Sequence, residues 1–127
     1  MDCLFCQVHK LVIEERNDYF YAIRDKFPVT KLHTLLIPFR HIDSYFDLDK
    51  KEIDAFNELL LSQRKSLLTQ DSSISGFNVG FNAGEDSGQT VMHCHIHLIP
   101  RRKGDMDNPE GGVRGVIPIK QKYLKPN

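Results

Sequence analysis

The chain has 127 residues, and Lys plus Arg balances Asp plus Glu at 17 each, so no global field recruits nucleic acid or an anionic membrane. Its longest apolar runs are too short to span a bilayer, and the start Met1-Asp2-Cys3 has no basic region followed by an apolar one. A chain of this length buries a real core without disulfides, so the expectation is a single cytoplasmic domain.

In chain order, the first feature is Cys3-x-x-Cys6, two of an odd total of three cysteines. In a reducing compartment such a pair is more often a metal or redox pair than a structural disulfide. Leu11-Val12-Ile13 and the run from Tyr19 to Ile23 are β-branched or aromatic, and the polar turn from Glu14 to Asp18 separates them, which predicts an antiparallel hairpin. Leu32 to Ile37 is a third strand, closed by Pro38. One long helix is predicted from near Asp49 to about Thr69, opened by a capping-box pair, Asp49 and Glu52, with Ile53, Phe56, Leu60 and Leu67 on its core side. Phe77 to Phe81 is a fourth strand and Val91 to Ile99 a fifth, joined by the glycine-bearing loop Asn82 to Thr90. From about residue 104 onward the chain reads as an irregular C-terminal extension. Strands, helix, then strands argue for an α+β domain with an antiparallel five-stranded sheet packed on one long helix.

The fifth strand carries the chemistry. His93, His95 and His97 alternate with Cys94, Ile96 and Leu98, so in an extended segment the imidazoles line one face and the apolar side chains the other. Histidine serves as acid, base, nucleophile or metal ligand near neutral pH, which leaves two readings, a metal site and a catalytic phosphate site. The loop before it offers two glycines for close backbone approach and uncharged donors on Asn82, Gln89 and Thr90. His33 opens the third strand and His41 lies past its end, so spacing alone does not require them to share a site.

Histidine, apolar, histidine, apolar, histidine, apolar, apolar is the signature of the histidine triad family. The chain resembles that family over nearly its whole length: Cys3-Leu4-Phe5-Cys6, Ala22-Ile23-Arg24-Asp25, His33-Thr34-Leu35-Leu36-Ile37-Pro38 with His41, the long helix, Asn82 to Thr90, and the triad with Pro100-Arg101 come in family order. Family members are nucleotide hydrolases and transferases. Gly88-Gln89-Thr90-Val91 resembles the Fhit-like wording, whereas the short chain and Cys3-x-x-Cys6 resemble bacterial Hint proteins.

By position, the resemblance implies that His95 is the nucleophile that attacks an α-phosphorus, and that His97 donates hydrogen bonds to the phosphate or leaving group. His33 would support the imidazoles and Thr90 would contact the leaving group, with Asn82, Gly88 and Gln89 beside it. Asp25 would hold the ribose hydroxyls, and Phe5, Ile23 and Leu35 would sandwich a purine. Cys3, Cys6, His41 and His93 would bind a structural zinc, with no catalytic metal expected. The implied partners are a purine nucleotide and a second copy of the chain in a homodimer, with neither nucleic acid nor membrane. The implied activity is release of a nucleoside monophosphate, AMP, from dinucleoside polyphosphates. The alternatives are phosphoramidase activity, a zinc-stabilised nucleotide- or protein-binding module without turnover, and a redox protein using Cys3 and Cys6. The tail around Asn108 to Pro118 departs from the Hint pattern, because the chain contains no Trp.

Overall fold

In the computed structural model of the chain, which describes residues 3–123, five strands form one antiparallel sheet and one long helix packs on it. The strands are β1 (Glu15–Arg16), β2 (Phe20–Arg24), β3 (Thr34–Pro38), β4 (Ile74–Gly80) and β5 (Ile96–Arg102), in spatial order β1-β2-β3-β5-β4. Every pairing is antiparallel.

Helix α1 (Lys50–Gln70) starts where its cap dictates. The Asp49 carboxylate accepts the Glu52 N–H at 2.9 Å, and the Glu52 carboxylate accepts the Asp49 N–H at 3.0 Å. Phe56 and Leu67 of the expected stripe turn inward and Leu60 packs beside them, Glu52, Ala55, Leu59 and Gln63 complete the buried face, and Ile53 is 37% exposed. Two interior positions are polar because each has partners. Glu52 is paired with Arg40 at 2.6 Å, and Gln63 accepts from Arg24 at 2.8 Å and donates to Glu15 at 2.7 Å. Buried and satisfied, these groups fix where the helix sits on the sheet.

Both sheet faces are covered, which is why β2 and β3 read as continuous apolar runs. On one face Ala55, Phe56 and Leu59 of α1 meet Phe20, Ala22, Leu36 and Ile96. On the other, Phe5 joins Tyr21, Ile23, Leu35 and Ile37, with Cys3, Val8, Leu11 and Ile13 packed against them. The N-terminal segment is therefore a cover for the sheet.

That packing corrects the expected first strand. Leu11-Val12-Ile13 is not a strand; the hairpin uses Glu15–Arg16, and the Asn17 side chain accepts the N–H groups of Tyr19 and Phe20 at 3.1 and 2.9 Å to make a tighter turn. The fourth strand starts at Ile74 and ends at Gly80, ahead of the expected bounds. The fifth starts only at Ile96, so His93 and His95 lie on an irregular lead-in segment. The alternation still holds: Cys94 and Ile96 enter the α1-side core, and His95 and His97 line a cleft on the opposite side. Beyond β5 the chain closes into 3-10 turns, where Arg114 donates to the carbonyls of Lys120 and Gln121. Gly111 makes this closure possible, because at φ 89° a Cβ would stand 1.8 Å from the Gln121 carbonyl oxygen.

Candidate active site

The sheet register aligns the cleft. Ile23 faces Leu35 across β2 and β3, and Leu35 faces His97 across β3 and β5, so three residues far apart in sequence form one row. Phe5 and the loop residue Thr90 complete a cleft of about 290 Å³ in which Phe5, Ile23, Asp25, Leu35, Thr90, His95 and His97 are all lining residues. Leu4, Leu11, Lys26, Phe27 and Val91 line it as well. Sequence reasoning missed those five: Leu4 and Leu11 are apolar residues of the covering segment, which carry no pattern that separates core from cleft, and Lys26, Phe27 and Val91 sit in irregular segments after β2 and before His93, where no periodicity shows which way a side chain faces.

Hydrogen bonds assign opposite roles to the two cleft imidazoles. The ring Nδ1 of His95 lies 2.8 Å from the His93 carbonyl, which can only accept, so Nδ1 carries the proton and Nε2 keeps its lone pair. His97 is the reverse case. The Val29 N–H donates to His33 Nδ1 at 3.0 Å, so the neutral His33 ring is protonated at Nε2 and donates to His97 Nδ1 at 2.9 Å. His97 is then left with a proton on Nε2. One ring therefore offers a lone pair and the other a donor, with centroids 5.4 Å apart.

Burial keeps this relay neutral. It lowers the His97 pKa to about 4, with the neighbouring His95 and His33 adding to the effect, and it lowers that of His33 against the pull of Asp25. The 3.5 Å contact from His33 Nε2 to the Asp25 carboxylate is thus not an ion pair at neutral pH. Asp25 instead accepts the Phe27 N–H at 2.9 Å and presents its carboxylate at the cleft. Directly before His33, Leu32 has φ 73°, a left-handed conformation that costs a β-carbon-bearing residue roughly 1 kcal/mol and is held beside the relay.

Asn82, Gly88 and Gln89 do not line the cleft. The Gln89 side chain is spent inside the loop: its oxygen accepts the Gly84 N–H at 2.8 Å, and its amide donates to the carbonyls of Asp43 and Val91. It braces the loop that presents Thr90. Arg101 and Arg102 are committed elsewhere, to Asp105 and Asp71 respectively.

A second constellation lies behind the cleft. One ligand atom from each of Cys3, Cys6, His41 and His93 falls within 4.8 Å of the others. The His93 Nε2 hydrogen is donated to the Pro38 carbonyl at 2.8 Å, which leaves the Nδ1 lone pair aimed at the sulfur atoms of Cys3 and Cys6, at 3.3 and 3.5 Å. His41 Nδ1 lies 3.1 Å from His93 Nδ1 and 3.2 Å from the Cys6 sulfur. Two imidazole nitrogens and two thiols converging this way suit a soft tetrahedral cation, and the carbonyl on His93 Nε2 is the kind of outer contact that orients a ligating ring. Asp25, His33 and His97 also cluster, but both His33 nitrogens are already engaged in the relay.

A five-stranded antiparallel sheet with one long helix, carrying alternating histidines beside a cleft, defines a histidine triad domain. A family profile described as HIT domain matches residues 7–104, and the chain belongs to the histidine triad family. It is 35% identical over 103 residues to an uncharacterised HIT-like protein of Mycoplasma genitalium, covering 78% of this chain and 72% of that one. A bis(5'-adenosyl)-triphosphatase of Dictyostelium discoideum is 36% identical over 90 residues, 69% of this chain and 58% of its own. A bis(5'-nucleosyl)-tetraphosphatase of Schizosaccharomyces pombe is 39% identical over 80 residues, 61% of this chain and 42% of its own. Among solved structures, a HIT family protein from Bacillus anthracis matches with TM-score 0.75 at 30% identity, over 82% of this chain and 76% of that one. A Zn-bound histidine triad family protein from Mycobacterium smegmatis matches with TM-score 0.74 at 28% identity, over 83% and 78%. No helix among the described residues is long and apolar enough to cross a membrane.

Proposed function

We propose that the protein hydrolyses dinucleoside polyphosphates at an α-phosphorus through a covalent nucleotidyl intermediate on His95. The observation that carries this reading is the tautomer pair: a lone pair on His95 Nε2 and a donor on His97 Nε2, in one cleft. Nε2 of His95 forms a bond to the α-phosphorus as the bridging P–O bond breaks, and the departing polyphosphate oxygen takes a hydrogen bond from His97. Water then attacks the same phosphorus, forming a P–O bond and releasing one proton to solvent as the N–P bond breaks. AMP leaves and the lone pair returns to His95.

Thr90 at the rim serves the leaving group, Asp25 accepts from the ribose hydroxyls, and the purine packs between Phe5, Ile23 and Leu35. Asn82 and Gly88 lie outside the cleft lining, on the same loop that Gln89 braces and that presents Thr90. The relatives named as a triphosphatase and a tetraphosphatase support this substrate class. We assign Cys3, Cys6, His41 and His93 to a structural zinc, which leaves no open coordination position for chemistry and ties the N-terminal cover to the lead-in of β5. A homodimer is proposed with β4, an edge strand, at its interface.

The test is trapping. Protein mixed with a dinucleoside tetraphosphate and denatured at neutral or alkaline pH yields a nucleotidyl adduct located on His95 by mass spectrometry, and His95→Ala lowers turnover by roughly 10⁴-fold while AMP still binds. Turnover that survives His95→Ala overturns the mechanism. A large kcat/KM preference for adenosine phosphoramidate overturns the substrate class.

A further inference from the structure

The four-ligand cluster and the cleft share one piece of chain. Cys3 and Cys6 bracket a single 3-10 turn, Leu4–Cys6, and the two residues between them, Leu4 and Phe5, line the cleft. Phe5 is buried, with its ring centroid 5.2 Å from that of His95 and 5.9 Å from that of His93, and its carbonyl accepts the Tyr21 hydroxyl. A second link runs through His93: its ring belongs to the cluster, while its carbonyl holds the His95 tautomer. Besides the packing of Phe5 and its bond to Tyr21, the two cysteines flanking Leu4 and Phe5 meet the cluster histidines through thiol to imidazole contacts of 3.2–3.5 Å, weaker than the metal–thiolate bonds a cation would supply.

We propose that a metal ion in the Cys3, Cys6, His41 and His93 cluster and a nucleotide in the cleft bind with positive coupling, each raising the affinity for the other through the Leu4–Phe5 turn. The inference rests on the zinc and nucleotide assignments above and adds a regulation that neither requires. Both ligands order the same residues. Whichever binds first meets that entropy cost, and the second finds the turn already closed. Linkage then requires the coupling to be equal in both directions, with a factor typically between 5- and 150-fold. Nucleotide occupancy tightens metal binding, and metal loss weakens nucleotide binding by the same factor.

Two measurements test this. In the wild-type protein loaded with zinc, the extent of release of the ion to a chromogenic chelator at equilibrium is measured with and without saturating AMP, and is expected to report zinc binding about tenfold tighter when AMP is present. Calorimetric titration of AMP into zinc-loaded wild type and into Cys6→Ser is expected to give a Kd about tenfold weaker in the variant. Cys6 is exposed and does not line the cleft, so that loss cannot come from a missing nucleotide contact. The release measurement uses intact protein and stands even if the variant fails to fold. Unchanged release with AMP bound overturns the coupling and leaves the zinc and nucleotide assignments intact. A wild-type protein that retains no zinc, or binds no AMP, overturns the corresponding assignment, and the coupling with it.

Discussion

His97 is held neutral by its surroundings, and that has a measurable consequence for stability. Its pKa in the folded chain is lowered from 6.5 to about 4, first by burial and then by the neighbouring histidines. Above pH 6.5 the residue is neutral folded or unfolded; between pH 6.5 and about 4 the unfolded chain binds a proton that the folded chain refuses. Stability therefore falls as the solution is acidified through that window, by on the order of 3 kcal/mol for this group, and levels off for it below pH 4. His33, also lowered by burial, acts in the same direction. Denaturant unfolding at pH 7 and pH 4.5 is expected to show a smaller acid loss in His97→Gln than in wild type; equal losses would contradict the assignment. That His97 shares a face with His95 was legible in their spacing. The protonation state of His97 was not, because that depends on the Val29 N–H and on His33, which the fold brings to it from another strand.

At the level of elements, what is local was readable and what is reciprocal was not. The helix start followed from Asp49 and Glu52, three residues apart, since a capping box needs nothing beyond its own turn. Replacing Asp49 with Ala is expected to cost about 1 kcal/mol, read as a lowered denaturation midpoint with an unchanged m-value. The adjoining Glu52 also grips Arg40, the neighbour of His41, so the cap is joined to one corner of the Cys3, Cys6, His41 and His93 cluster. Hydrophobic counting found Phe56 and Leu67 but not the polar part of the buried helical face, because Glu52 and Gln63 are interior residues with partners on other elements, Arg40 for one and Arg24 and Glu15 for the other. Leu11-Val12-Ile13 was misread for a related reason: an apolar β-branched run looks the same whether it pairs in a sheet or lies across one.

For the whole molecule, the arrangement leaves β4 at one edge of the sheet, seven residues long, with Val79 41% exposed on it. An edge of that length and character is a surface for pairing with another chain. Light scattering is expected to return twice the chain mass of 14.7 kDa for wild type and a monomer for Val79→Lys. A monomeric wild type would refute the dimer. The family and the sheet with its long helix were written in the sequence, and so were the candidate chemical residues, because period-two alternation, a helix cap and a C-x-x-C spacing are all local patterns. Only the tertiary structure decided how those residues divide their labour. Strand register set Ile23, Leu35 and His97 in one row, and the Pro38 and His93 carbonyls assigned the ring protons of His93 and His95. Packing laid the N-terminal turn across the sheet, so that Cys3 and Cys6 meet His41 and His93 while Leu4 and Phe5 face the cleft. Such pairings join residues up to 90 positions apart, and no pattern within a single segment specifies them.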